Sequence, residues 1–242
     1  MNLVIDIGNT FIKLAVFQKD EIVSRAVFED EKLMEKIQEI LKTHKIEHGI
    51  ISSVKTIPAD ELAFLRKNIN LIILDHTLSF PFLNLYETPE TLGKDRLALA
   101  AAAVKLFPNK NILIIDAGTC ITYDFLENNK YHGGAISPGI EMRFKAMHNF
   151  TAKLPLIKTT DENETELTGK TTRQNMKIGV LKGVPLEIDG FIDLYKQDYK
   201  DLTVILTGGD SELLSKSLKN SIFAPENFLL KGLNTILEFN KI

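Results

Sequence analysis

Cysteine is nearly absent. Cys120 is the only one in 242 residues, so no intrachain disulfide can form. It follows a glycine-threonine turn in an apolar stretch, where a small buried residue is a plainer reading than a nucleophile. Long hydrophobic runs are absent too, with none near the ~18 residues that a bilayer-spanning helix needs. Neither sign of charge dominates, since 29 Lys and Arg against 32 Asp and Glu leave a net charge of −3. The lysines are scattered and form no long basic run, so there is no electrostatic case for nucleic acid or an anionic membrane. The opening Met1-Asn2-Leu3-Val4-Ile5-Asp6 meets an acid too early for a secretory signal. A soluble cytoplasmic protein is expected. Its 44% hydrophobic residues suffice for two small domains or one larger one.

What the chain does have is a repeated string. Asp6-Ile7-Gly8-Asn9-Thr10 and Asp116-Ala117-Gly118-Thr119 each follow a β-rich apolar run. An acid at a strand end, then a glycine turn and a hydroxyl, suits metal-bound phosphate. The carboxylate orients a metal or its water shell. The glycine lets backbone N–H groups approach phosphate oxygens, and the threonine adds a donor. One such string is ordinarily a hairpin turn. Two of them, each behind a buried-type strand, point to a duplicated fold closing on one nucleotide from both sides.

Hydrophobic patterning predicts strands over 3–7, 11–17 and 21–28, forming a β-meander. A helix over 31–43 follows, with Leu33, Ile37, Ile40 and Leu41 on one face. Then come a strand at 48–54, a helix from Pro58 to 67 and a strand at 71–74. Residues 77–92, with Pro81 and Pro89, read as a functional loop. The helix over 95–107 is expected to link two halves and to allow hinge motion. Strands at 111–116, 119–126 and 130–136 repeat the meander, and Pro138 is expected to open a helix to 152. Residues 155–167 read as a mobile surface loop. A long helix over 172–195, a buried strand at 203–207, a helix capped by Asp210 and a helix over 229–239 complete the chain. The expected domains are 1–92 and 93–242.

Four more clusters accompany the two turns. Gly93-Lys94-Asp95-Arg96 opens a helix. Helix-dipole stabilisation alone would explain an acid there. The same Asp could also accept a hydrogen bond from an attacking hydroxyl, while the Arg holds a carboxylate or phosphate. The dipole and Arg96 favour an ionised Asp95, hence a base or orienter. Gly133-Gly134-Ala135-Ile136-Ser137-Pro138-Gly139 permits close backbone approach, and it is also a strand end and helix start. Thr207-Gly208-Gly209-Asp210 could lay flat backbone beside an adenine, or be an ordinary tight turn. Gly169-Lys170-Thr171-Thr172 leads into the long helix and also reads as a loop with an N-cap.

DIGNT, GKDR, DAGT, GGAISPG, GKTT and TGGD, in that order, resemble the type III pantothenate kinases. These belong to the acetate kinase, sugar kinase, heat-shock chaperone and actin superfamily. The resemblance implies an α/β duplicated actin-like (ribonuclease H-like) fold, with mixed sheets flanked by helices. It implies ATP-dependent phosphorylation of pantothenate to 4'-phosphopantothenate, the first step of coenzyme A biosynthesis, by a homodimer. Magnesium and a monovalent cation, potassium or ammonium, are the implied cofactors. Carried over, Asp6, Ile7, Gly8, Asn9, Thr10, Phe11, Ile12 and Lys13 match the first phosphate loop, and Thr119 an ATP contact. Asp95 matches the catalytic base, and Tyr86, Gly93, Lys94, Asp95, Arg96 and Thr172 the substrate contacts. Asp116 matches the monovalent-cation ligand. The segment from Arg173 to Ile178 departs from the family's usual Val-x-Ser-Met-Gln-Ser pattern, although Met176 and Gly179 keep their places.

Overall fold

The opening meander forms as its patterning requires. The computed structural model describes residues 1–8, 11–29, 32–158, 166–220, 222–223 and 225–241. Strands β1 (Asn2–Ile7), β2 (Ile12–Gln18) and β3 (Glu21–Phe28) run antiparallel, with short turns between them. Helix α1 (Leu33–Thr43) leads to β4 (His48–Ser53), and α2 (Ala59–Asn68) leads to β5 (Asn70–Ile73). These two strands add in parallel and give the order β3-β2-β1-β4-β5. Alternation places Leu3, Ile5 and Ile7 on one face, packed with Leu33, Ile37 and Ile40. Val4 and Asp6 therefore take the opposite face. The helices α3 (Lys94–Leu106) and α7 (Phe228–Phe239) pack there, against each other and against these strands.

The docking of α7 is specified by polar groups. The Asn2 side-chain amide donates to Asn234 Oδ1 at 2.7 Å and to Glu238 Oε1 at 2.6 Å. Asn234 in turn donates to the Lys19 carbonyl at 2.9 Å. Such bonds between buried amides fix a register that apolar contact alone would leave loose.

The segment over 77–92 is more ordered than its sequence suggests. It contains the two-residue strand β6 (Leu83–Asn84) and a 3-10 turn at Pro89–Thr91. Its anchors are the Leu83 N–H to the Asn129 carbonyl and the Leu85 N–H to the Tyr131 carbonyl, both at 2.9 Å. Backbone pairing has no signature in side-chain periodicity when only two residues take part.

The second half repeats the meander as β7 (Asn111–Ala117), β8 (Cys120–Glu127) and β9 (Lys130–Pro138). Helices α4 (Ile140–Asn149) and α5 (Thr172–Asp198), strand β10 (Thr203–Thr207) and the short α6 (Ser211–Ser215) follow. The strand order is β10-β7-β8-β9-β6. Pro138 ends β9 and does not open α4, because Gly139 keeps an extended backbone (φ −69°, ψ 172°) and takes the cap position. Asp210 precedes α6, yet its side chain makes no capping bond. Most of the loop expected over 155–167 lies outside the described residues.

By contacts the chain forms two compact units. The first is Met1–Asn109 with Asn129–Tyr131 and Asn227–Ile242, and the second is Lys110–Asn128 with His132–Glu226. Helix α3 is buried from Arg96 to Val104 within the first. Within the second, Val180, Val184, Ile188 and Ile192 of α5 pack onto Leu113, Ile115 and Leu206. Helix α5 thus buries this apolar stripe against the chain's own sheet. Among the described residues no helix is long and apolar enough to cross a membrane.

Candidate functional site

The ladder around β1 decides what faces Asp6. Antiparallel pairing sets Lys13 opposite it, and parallel pairing sets Ser52 on its other side. Lys13 Nζ lies 4.0 Å from Asp6 Oδ2, and Ser52 hydrogen-bonds the carboxylate. Asp6 is only 9% exposed. Burial raises its pKa to about 6, against the pull of Lys13 and Ser52 and with a further push from the Asp95 charge. Asp95 is the second residue of α3, behind the cap residue Gly93, and its Oδ1 accepts the Arg96 N–H at 2.8 Å. Lys94 ties that helix start to the end of β4 through a 3.2 Å bond to the Ser53 carbonyl. Asp6, Lys13, Lys94 and Asp95 therefore gather at one end of the first sheet.

The remaining residues of this loop divide by role. The side chains of Ile7 and Ile12 belong to the core, so only their backbones can serve a ligand. Phe11 is exposed. The Gly8 N–H closes the turn onto the Phe11 carbonyl at 3.1 Å. Asn9 and Thr10 lie outside the described residues.

Tyr86 and Arg96 meet. The Arg96 guanidinium carbon is 5.7 Å from the Tyr86 ring centroid, within cation–π range. The Tyr86 ring is also 6.3 Å from that of the fully buried Tyr131. Asn84 Oδ1 accepts the Tyr86 N–H at 3.1 Å, so strand β6 and its flanks aim this tyrosine.

In the second unit, three of the glycine-bearing strings converge. Asp116 pairs in register with Thr122 of β8 and Thr207 of β10. The Gly139 N–H donates to the Thr119 carbonyl at 3.1 Å. A methyl group at residue 139 would overlap the Gly118 carbonyl oxygen, so only glycine fits. Gly208 has φ +96°, and a Cβ there would sit 2.6 Å from the Ala117 carbonyl carbon. The Asp210 N–H donates to the Ala117 carbonyl at 3.0 Å. Burial and the nearby Glu141 charge push the Asp210 carboxyl up. Cys120, beside this turn, is partly exposed and not buried as expected, because it opens β8 at the sheet's end.

The profile of the family described as type III pantothenate kinase matches residues 2–194. A type III pantothenate kinase of Christiangramia forsetii is 52% identical over 243 residues, covering 100% of this chain and 99% of that one. The chain belongs to the type III pantothenate kinase family. Two solved structures speak for the fold alone. A conserved Campylobacter jejuni protein provisionally assigned to the Baf family of transcriptional activators has a TM-score of 0.62 at 23% identity, covering 98% of each chain. A Listeria monocytogenes protein provisionally described as an N-acetylmannosamine kinase has 0.57 at 13%, covering 99% of each. The fold is the duplicated actin-like one, with two mixed five-stranded sheets flanked by helices.

The segment that departs from the family pattern serves the start of α5. Thr171, not Thr172, is the N-cap, and its side chain accepts the Gln174 N–H at 3.2 Å. Gln174 Oε1 reaches back to the Lys170 N–H at 2.9 Å, one residue before the cap, and ties the incoming chain to the first turn. Thr172 is exposed at the first helical position. Sequence reasoning missed Ser52, which touches Asp6 only through parallel pairing. It also missed Tyr131, whose importance to Tyr86 depends on β6.

Proposed function

We propose that this protein transfers the γ-phosphoryl group of ATP to the primary alcohol of pantothenate in the cytoplasm, giving 4'-phosphopantothenate for coenzyme A synthesis. The observation that carries this reading is Asp95 at the start of α3, close enough to Asp6 to raise its pKa, in a chain 52% identical end to end to a type III pantothenate kinase. Asp95 accepts the hydrogen bond of the attacking hydroxyl and aims it in line with phosphorus. In a loose transition state little proton has moved, so the carboxylate mainly orients. Arg96, held over Tyr86, suits the carboxylate of pantothenate. In the second unit Thr119 and the backbone N–H groups that follow Gly118 suit phosphate oxygens; in the first, residues 6–13 match the family's phosphate loop.

The donor sets fit the implied cations. Among the described residues no group of three or more His, Cys, Asp or Glu could hold a metal, so magnesium would rely on the phosphate oxygens of the nucleotide. Asp6, buried and only distantly paired with Lys13, supplies a carboxylate for such an ion or its water shell. Bound there, magnesium would neutralise phosphate charge. Asp116, between two threonines in register, offers the hard oxygen chemistry that potassium or ammonium accepts. We also assign a homodimer, in which Thr172 helps complete the pantothenate site. Leu186 and Leu194 remain exposed on α5 for such contact.

A coupled assay with ATP across a panel of small alcohols tests the reading. ADP release is expected with pantothenate and to require potassium or ammonium. ADP release with another alcohol, or none with any, would refute it.

A further inference from the structure

Behind the Gly139 turn, four polar side chains from four different elements close a ring. Glu187 of α5 accepts from Tyr123 Oη of β8 at 3.0 Å and from Arg143 Nη2 of α4 at 2.6 Å. Arg143 Nη2 also donates to Ser137 Oγ at 2.7 Å, and its Nε donates to the Pro138 carbonyl at 2.8 Å. Ser137 in turn hydrogen-bonds Glu187. Burial would raise the Glu187 carboxyl, yet the bonds from Ser137, Arg143 and Tyr123 hold it below its ordinary range. Burial and the Glu187 charge push the Tyr123 hydroxyl up, so it stays a neutral donor. The ring is therefore a charge-assisted clamp on Ser137 and Pro138.

What the clamp holds is the residue that touches the second phosphate turn. Gly139 donates to the Thr119 carbonyl at 3.1 Å and lies hard against the Gly118 carbonyl. A trans peptide points its N–H opposite to its C=O. Drawing the Gly118 and Thr119 carbonyls toward Gly139 thus turns the N–H groups of Thr119 and Cys120 away from Gly139, the arrangement a bound phosphate would need. We propose that Arg143 and Glu187 are positioning residues for the nucleotide, holding the Ser137-Pro138-Gly139 turn so that it shapes the loop at Gly118 and Thr119. This rests on the reading of Thr119 as an ATP contact.

The test is steady-state kinetics of Arg143→Lys and Glu187→Gln beside wild type. A lysine cannot bond Glu187, Ser137 and the Pro138 carbonyl together, and the glutamine removes the charge. The KM for ATP is expected to rise about tenfold, the scale of a lost charge-assisted bond, while the KM for pantothenate stays within about twofold. Ser137→Ala, a milder change, is expected to raise it about threefold and carries the test if the other two fail to fold. An unchanged KM for ATP, or equal rises for both substrates with a lowered Tm, would overturn the proposal. If wild type does not turn over pantothenate, the functional reading falls, and calorimetric titration of the same variants with ATP still tests the clamp.

Discussion

Lys13 stands directly across the β1–β2 hairpin from Asp6, and its Nζ remains 4.0 Å from the carboxylate. That is too far for a hydrogen bond, and Lys13 is half exposed, so solvent screens the attraction. Desolvation therefore wins, and Asp6 has a pKa of about 6. The strand end holds a carboxylate that its own protein neighbours do not fully satisfy.

Asp6→Asn is expected to stabilise the protein in metal-free, nucleotide-free buffer while abolishing turnover. The folded pKa of about 6 lies above the ordinary carboxylate value of 3.8. Protonation then favours the folded state, so this contribution is full below pH 3.8, fades as pH rises through 6 and is absent above it. Removing the charge should gain up to about 3 kcal/mol at pH 8 and roughly half of that at pH 5. Urea melts at the two pH values check this, and an equal gap between variant and wild type at both would contradict it.

Asp95→Asn should lose a factor of about 10²–10⁴ in kcat while ATP affinity persists. The substitution keeps the size of the side chain and an oxygen to accept the Arg96 N–H, so the start of α3 survives. Single-turnover kinetics with calorimetric ATP binding separates the two effects. Near-normal kcat would remove Asp95 from the chemistry.

Turnover should respond to potassium or ammonium, and Asp116→Ala should abolish that response. The carboxylate sits at the end of β7 with Thr122 and Thr207 as register neighbours, which makes an oxygen-rich strand end. Rates compared in sodium and potassium buffers decide the matter. Equal rates in wild type would count against the assignment.

The adjacent glycines of Thr207-Gly208-Gly209-Asp210 should differ sharply. Gly208→Ala must place a Cβ against the Ala117 backbone at φ +96°, whereas a Cβ on Gly209 meets nothing within 4 Å. Gly208→Ala is expected to cost roughly 1–3 kcal/mol or more and to raise the KM for ATP. Gly209→Ala should stay within about 0.5 kcal/mol. Thermal melts of both variants test the contrast, which fails if the two behave alike.

The order of strands and helices apart from β6, the two glycine turns behind β1 and β7, and the family were legible in the residues. Strand patterning and glycine turns are local, and a string such as GKDR or GGAISPG carries its identity in a few adjacent positions. Three-dimensional pairing decided the rest. Parallel register brings Ser52 to Asp6, and two backbone bonds fasten the segment bearing Tyr86 so that it reaches Arg96. The ring of Tyr123, Ser137, Arg143 and Glu187 spans four elements. A sequence displays which side chain each position carries and how apolar its neighbours are. Which of two faces is covered, and by what, is settled only when distant segments pack. The apolar stripe on α5 is such a face, and the folded chain covers it with β7 and β10.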